Sequence, residues 1–357
     1  AMKGHKYSSE TDTEVIAHLI EENLKDSDIE EAVRKSLKRL EGSYALGILY
    51  ADNPEELVAA RNESPLIIGL GKNENFIASD VPSILEYTNK VIYLEDKELA
   101  VLTKDSCSIY DLEGRKKEKK VHTINWSAEA AQKSGYRHYM LKEIYDQPRA
   151  IADTLNGRLR NNSVVFEKEF GLDEDYLIKV KRIVMVACGT SWHASLVGEF
   201  MFEELAKIPT EVEYASEFRY RHPILDKDTL VIAISQSGET ADTIAALKEA
   251  KKNGVKTLSI CNVMGSSITR VSDGTIYTKA GPEIGVASTK AFTTQLAVLY
   301  LLTILFSKTR KTLDEQQIKR MIDGIRKIPL QLQSVLDEDE EIIRCAELYY
   351  QKTNSIY

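Results

Sequence analysis

The feature that most constrains the fold is the stretch 230–240. Leu230-Val231-Ile232-Ala233-Ile234 is an unbroken apolar run rich in β-branched residues, the pattern of a strand buried on both faces of a parallel sheet. It runs directly into Ser235-Gln236-Ser237-Gly238-Glu239-Thr240, after which 241–248 begins a helix. A helix N-terminus carries free backbone N–H groups and the positive end of the dipole. Hydroxyls added to those N–H groups form a phosphate cradle that needs no lysine. Ordinary Ser/Thr capping of a strand-to-helix turn is the competing explanation. Three hydroxyls, one amide and a glycine within six residues are more than capping requires.

A second segment repeats the arrangement. Ile183-Val184-Met185-Val186-Ala187 is apolar, Cys188-Gly189-Thr190-Ser191 is a glycine-containing hydroxyl turn, and 192–202 continues as a helix. Two strand–turn–helix units about one βαβ apart predict an open, doubly wound α/β parallel sheet, which binds ligands outside the carboxyl ends of its strands. Two such turns on one edge would clamp one phosphorylated ligand. Neither is followed by G-x-G-x-x-G, and no G-K-[ST] appears, so the dinucleotide and Walker fingerprints are absent.

Ahead of this region the pattern changes to short, mostly antiparallel strands of an α+β unit. Residues 44–50 and 56–60 predict one hairpin, 62–71 and 75–79 another, and 91–94, 99–102 and 106–110 further strands. Thr11-Asp12-Thr13-Glu14 predicts a helix start, with Glu14 placed to complete a capping box on Thr11. The charged run 112–120 reads as a solvated hairpin end, and the small, polar run at 127–135 as a linker. Residues 139–155 predict a helix interrupted at Pro148. An almost wholly apolar helix at 293–306 should be buried, and an amphipathic connector at 313–335 is interrupted at Pro329.

The net charge of −8 disfavours nucleic acid as a partner, so phosphate binding would rest on local dipoles and hydroxyls. Cys107, Cys188, Cys261 and Cys345 form no C-x-x-C pair, which points neither to a disulfide framework nor to zinc. No unbroken apolar run reaches the ~18 residues of a membrane span. A reduced, cytoplasmic setting is the simplest expectation.

Three runs carry a resemblance. Ala187-Cys188-Gly189-Thr190-Ser191, Ser235 to Thr240, and Glu283-Ile284-Gly285-Val286-Ala287-Ser288-Thr289-Lys290-Ala291-Phe292 resemble the first sugar isomerase (SIS) domain of the glutamine–fructose-6-phosphate aminotransferase family. Cys261-Asn262-Val263 and Gly265-Ser266-Ser267 fit the same pattern. Ser9-Glu10-Thr11-Asp12-Thr13-Glu14, Ser64 to Gly71, Phe76 to Asp80 and Tyr136-Arg137-His138-Tyr139-Met140 are similar to its glutaminase domain and the passage into the sugar domain. The resemblance implies an α/β chain: a SIS-type doubly wound parallel sheet preceded by a truncated α+β Ntn-type glutaminase domain. The expected organisation is a glutaminase portion at 1–127, a linker at 128–136, the SIS domain at 137–308, and a helical connector with the start of a second SIS domain at 309–357.

The implied chemistry moves the amide nitrogen of glutamine to fructose 6-phosphate and isomerises the product to glucosamine 6-phosphate. Thr190, Ser191, Ser235, Gln236, Ser237 and Thr240 would bind the sugar phosphate with Val286 and Ser288. Asp12 would hold the glutamine amino group, although a helix-start carboxylate is an equal reading of that residue. No metal or organic cofactor is implied, and a homodimer through 137–308 is expected. Its apolar helices, around Phe200-Met201-Phe202 and at 296–306, would otherwise lack a covering layer. The chain departs from the family at both ends. It opens Ala1-Met2-Lys3 where a nucleophilic cysteine is expected, and 355–357 resemble the first strand of a second SIS domain. The family's catalytic glutamate, histidine and lysine belong beyond that point, so the chain reads as an internal fragment, inactive alone.

Three further residues have two readings each. His193 could face a phosphate or be a packed or solvated side chain. Lys290 could balance ligand charge or serve structure. Cys188, with no base partner in sequence, reads as a small buried residue. Two other functions stay open: a noncatalytic sugar-phosphate-binding regulator, and a SIS-fold deglycase acting on sugar–amino acid adducts. The glutaminase-like segment around Asp12 argues against both.

Overall fold

The computed structural model describes residues 5–124 and 133–352, which fall into two compact units divided between Ala131 and Gln132. Much of the expected linker at 128–136 lies outside the described residues.

The first unit begins with helices α1 (Glu14–Leu24) and α2 (Ile29–Leu37). Nine strands follow: β1 (Tyr44–Tyr50), β2 (Asn53–Asn62), β3 (Ile67–Leu70), β4 (Asn75–Ala78), β5 (Lys90–Tyr93), β6 (Glu98–Leu102), β7 (Cys107–Asp111), β8 (Lys116–Lys117) and β9 (His122–Thr123). They form two antiparallel sheets, β1-β2-β6-β7-β8 and β4-β3-β5-β9. Alternation along β2 and β6 explains the layering. Val58, Ala60 and Leu99 face Ala32, Val33 and Leu37 of α2, while Ala59, Ala100 and Leu102 meet Ile68 and Ile92 of the second sheet. The charged run after β7 is a hairpin end, as its polarity suggests: β8 returns to pair with β7, and Lys119 reaches Glu98 at 2.7 Å.

The capping box expected at the first helix does not form. Helix α1 starts at Glu14, and its cap residue Thr13 makes no side-chain cap bond. Residues 8–9 fold back over the helix start and supply better donors. The Glu14 carboxylate accepts the N–H groups of Ser8 and Ser9, each at 2.7 Å, and both their hydroxyls. These bonds, led by the Ser9 hydroxyl, hold the Glu14 carboxyl down at about 2.

The second unit contains α3 (Tyr139–Tyr145), α4 (Gln147–Leu155), a small hairpin of β10 (Leu159–Arg160) and β11 (Ser163–Val164), and α5 (Glu174–Lys179). The parallel-sheet region follows as β12 (Arg182–Ala187), α6 (Gly189–Met201), β13 (Thr210–Tyr214), α7 (Ala215–Phe218), β14 (Thr229–Ser235), α8 (Ala241–Lys252), β15 (Lys256–Cys261), α9 (Ser267–Val271) and β16 (Gly274–Tyr277). Helices α10 (Lys290–Arg310), α11 (Glu315–Ile325), α12 (Ile328–Leu336) and α13 (Asp339–Tyr349) complete it. Proline sets two of the breaks: Pro148 opens α4 and Pro329 opens α12, both at first-turn positions where the missing N–H costs nothing.

All five sheet strands run parallel in the order β13-β12-β14-β15-β16. Counted along the chain this is 2-1-3-4-5, the doubly wound order whose switch point lies between the first and third strands, here β12 and β14. Helices α6 and α10 cover one face and α7 and α8 the other. Strand β14 is buried along its whole length, which explains why its sequence shows no alternation.

Helix α10 is long and apolar enough to cross a membrane by length and composition, although no unbroken apolar run in the sequence is. Its packing accounts for its apolarity. Val298, Leu299, Leu302 and Phe306 pack on the sheet residues Met185, Ile232 and Ile260. On the opposite side Ala297, Leu301 and Ile304 meet Ile151 and Leu155 of α4 and Ile318 and Ile322 of α11. The covering layer that the sequence reading assigned to a second copy is therefore supplied here by the chain itself. Phe202 is likewise buried in the core, whereas Phe200 is 73% exposed.

Leu302, fully buried between α10 and the sheet, tests this arrangement. Leu302→Ala should lower stability by about 2–5 kcal/mol in urea unfolding, through lost burial and the cavity left behind. A loss below about 0.5 kcal/mol, typical of surface positions, would contradict a core role for α10.

Candidate functional site

At the switch point a cleft of about 200 Å³ opens outside the carboxyl ends of β12 and β14. That is several times the ~30 Å³ share of a water molecule. Its lining comes from three places. The β12 end gives Cys188 and Ser191, the β14 end and its turn give Ser235, Gln236, Ser237, Thr240 and Thr243, and the loop before α10 gives Glu283, Gly285, Val286 and Ser288.

The turn after β14 is fixed from inside. Ser235 Oγ accepts the Gly238 N–H at 3.0 Å and lies 3.2 Å from Thr240 Oγ1, and Ser237 Oγ accepts the Glu239 N–H at 3.2 Å. Gly238 has φ +67°, and a Cβ there would lie 2.1 Å from Ser266 Oγ and 2.6 Å from Cys261 Sγ. Only glycine permits so close an approach. Glu239, 8% exposed, takes the N–H and the hydroxyl of Ser267 at 2.6 and 2.8 Å. Gly238 C=O accepts the Ile268 N–H at 3.0 Å, and Gln236 C=O the Asn262 N–H at 3.2 Å. Thr240 caps α8 with its backbone only, since its hydroxyl makes no cap bond. The turn thus presents hydroxyls and a helix N-terminus to the cleft, an arrangement suited to an anion.

The β12 turn contributes less. Ser191, 7% exposed, accepts a hydrogen bond from Gln295 Nε2 of α10 at 3.0 Å. Its neighbour Thr190 is exposed in the first turn of α6 and is not among the lining residues. Cys188 is half-buried on the cleft wall, more open than its sequence reading as a buried residue. Cys261 beneath the turn is fully buried, which pushes its thiol up to about 11 and leaves it unreactive.

The third wall is a loop without regular structure, held by carboxylates. Glu283 Oε1 accepts the N–H groups of Thr289 and Ala291, each at 3.0 Å, and Glu283 Oε2 accepts the Ser288 hydroxyl at 3.0 Å. Glu143 of α3, 1% exposed, accepts the Ile284 N–H at 2.6 Å and the Gly285 N–H at 3.1 Å. Burial raises the Glu143 carboxyl above the ordinary range, against the lowering effect of those two N–H bonds. Lys290 is 2% exposed and lies 2.9 Å from Asp146, which also pairs with Lys142 at 2.6 Å. This favours the structural reading of Lys290. His193 is exposed against the Trp192 ring and does not line the cleft.

The structure therefore brings Ser191, Ser235, Gln236, Ser237, Thr240, Val286 and Ser288 around one cleft. Sequence reasoning did not single out Thr243, Glu283 or Gly285 as site residues, although the last two sit inside a run it quoted. Asp12 belongs to the first unit, where it is exposed at the start of α1 and its C=O accepts the Val15 N–H at 3.1 Å. Among the described residues, one group has metal-ligand spacing: His5, His18 and Glu21, at the same end of that unit.

The parallel sheet with its switch-point cleft defines a SIS-type domain, and the family model for that domain matches residues 176–305. The model of a glutamine amidotransferase domain matches residues 1–86. Over nearly its whole length the chain belongs to the glutamine–fructose-6-phosphate aminotransferase family. It is 50% identical over 355 residues to the glutamine–fructose-6-phosphate aminotransferase (isomerizing) of Caldanaerobacter subterraneus subsp. tengcongensis, a match covering 99% of this chain and 58% of that protein. The protein of the same name from Thermococcus kodakarensis is 52% identical over 358 residues, again covering 99% and 58%. The chain thus spans a little over half the length of these relatives. The C-terminal domain of glucosamine-fructose-6-phosphate aminotransferase from Francisella tularensis superposes with a TM-score of 0.59 at 43% identity, covering 62% of each chain.

The Asp146 cluster behind the third wall gives a pH test. Burial pushes its carboxyl up, but the hydrogen bonds from Lys142 and Lys290 outweigh this and hold it below its ordinary value. Its contribution to stability is therefore present above the unfolded-state pKa and fades as pH falls through the lowered one. Asp146→Asn should cost on the order of 2–4 kcal/mol at neutral pH, because it strands a buried lysine. The gap to the parent should narrow on acidification in urea unfolding, whereas a gap independent of pH would show that the charge is not the cause.

Proposed function

We propose that this chain is the sugar-phosphate-binding part of an enzyme that transfers the amide nitrogen of glutamine to fructose 6-phosphate and isomerises the product to glucosamine 6-phosphate. The observation that carries this is the hydroxyl-lined cleft at the β12/β14 switch point, in a chain half identical along its length to proteins named for that reaction. Ser235, Ser237 and Thr240, with the N–H groups opening α8, receive the phosphate. Ser191 and Gln236 flank it, and Val286 and Ser288 line the sugar.

The lining residues hold a ligand and do not turn it over. The one carboxylate among them, Glu283, is committed to the N–H groups of Thr289 and Ala291 and to the Ser288 hydroxyl. Among the described residues, no lining residue is a lysine or a histidine. In this reading proton transfer draws on groups outside the cleft lining, and Asp12 would orient glutamine in the first unit. The partners in this reading are fructose 6-phosphate or glucosamine 6-phosphate, with glutamine in the intact enzyme. The four free cysteines suit a reducing, cytoplasmic compartment. A homodimer belongs to the same proposal, with the exposed Val197 and Phe200 of α6 as its apolar contact.

Fructose 6-phosphate should bind the 357-residue chain, and no glucosamine 6-phosphate should form when glutamine is added. Each hydroxyl donating to a charged phosphate oxygen contributes about 1.5–3 kcal/mol, so Ser237→Ala and Thr240→Ala should each weaken binding about tenfold or more. Titration calorimetry with unchanged folding checks this. Equal affinity for parent and both variants would assign these hydroxyls to the turn alone, and measurable synthase activity would place the missing groups within this chain.

A further inference from the structure

Two walls of the cleft are the ends of sheet strands, held by the sheet and by bonds to α9 and α10. The third wall is a loop, and its geometry must come from elsewhere. Its backbone N–H groups at Ile284 and Gly285 are taken up by a side chain and not by a strand or helix backbone. They converge on Glu143 of α3, far upstream in sequence, at 2.6 and 3.1 Å to Oε1, with Gly285 N also 3.2 Å from Oε2.

The approach is close enough to exclude a side chain. A Cβ at Gly285 would lie 2.6 Å from Glu143 Oε2. Glu143 itself is held rigidly. It is 1% exposed, and its neighbours Lys142 and Asp146 tie α3 to Lys290 at the start of α10. The carboxylate therefore sits on a fixed helix, and its two oxygens define where residues 284–285 can lie. The residues that follow, Val286 and Ser288, line the cleft, and Val286 is fully exposed to incoming ligand.

We propose that Glu143 is a positioning residue for the sugar-binding wall: by accepting the Ile284 and Gly285 N–H groups it sets Gly285, Val286 and Ser288 against the sugar without touching the ligand. This rests on the sugar-phosphate reading of the cleft. The phosphate cradle after β14 is fixed by its internal bonds, by Gly238 C=O to Ile268 N–H and by Glu239 to Ser267, so a loosened loop leaves it in place. The two ends of the ligand thus report separately on the two walls.

The test compares inorganic phosphate with fructose 6-phosphate on the 357-residue chain and its Glu143→Gln, Glu143→Ala and Gly285→Ala variants by titration calorimetry. Loss of charge-assisted bonds to the loop should weaken fructose 6-phosphate about tenfold in Glu143→Ala, while inorganic phosphate affinity stays within about twofold. Glu143→Gln keeps one acceptor oxygen and should recover part of the loss. Gly285→Ala, which keeps the Glu143 side chain but drives the loop off its carboxylate, should reproduce it and carries the test if Glu143→Ala fails to fold. Unchanged fructose 6-phosphate affinity in Glu143→Gln and Gly285→Ala overturns the proposal, as does equal weakening of both ligands, the sign of a merely structural role. If the parent chain binds neither ligand, the sugar-phosphate reading itself fails, an outcome distinct from the others.

Discussion

Strand β14 lies between β12 and β15 with every residue buried, and the chain must leave it through a turn whose polar groups have little water to turn to. Buried polar groups left unpaired are costly, so the turn folds onto itself and onto α9. Ser235 Oγ takes Gly238 N–H, Gly238 C=O takes Ile268 N–H, and Glu239 clamps the N–H and hydroxyl of Ser267. Because Glu239 satisfies α9, the remaining hydroxyls of Ser237 and Thr240 are left facing the cleft beside the N-terminus of α8. The polar face of the cleft is thus what remains after the turn has met its own hydrogen-bonding needs.

The same principle shapes the loop before α10, with carboxylates in place of sheet edges. Glu283 gathers the N–H groups that lead into α10, and Glu143 gathers those at the tip. Buried acids used as backbone acceptors fix an irregular segment more strictly than apolar packing does, because hydrogen bonds are directional. Helix α10 then anchors the assembly. One side of it closes the sheet core and the other closes the layer with α4 and α11, so both walls rest on one rigid body.

Local pattern made much of this legible in the sequence. The continuous apolar runs at 183–187 and 230–234 announced buried parallel strands, and Pro148 and Pro329 marked interruptions that prove to be breaks between helices. The paired hairpins of the first unit followed from turn residues between alternating segments. What failed depended on contacts outside the local pattern. The Thr11 capping box lost to donors at Ser8 and Ser9, and the apolar faces of α10 found their cover in α4 and α11 instead of in a second copy. In the cleft, the residues from the β14 turn were legible because hydroxyls, glycine and helix start are contiguous. Glu143 was not, since it belongs to no motif and meets its loop only in three dimensions. Thr190 shared a motif with Ser191, yet helical rotation turns one to solvent and the other to the cleft.

The central claim is that the β12/β14 switch point is where the phosphate of a sugar phosphate is held. A crystal structure of the chain with fructose 6-phosphate bound tests it most directly. The expected result is a phosphate within hydrogen-bond distance of the Ser237 and Thr240 hydroxyls and the first N–H groups of α8, with the sugar toward Val286 and Ser288. A ligand bound elsewhere on the chain, or an empty cleft at saturating ligand, would contradict it.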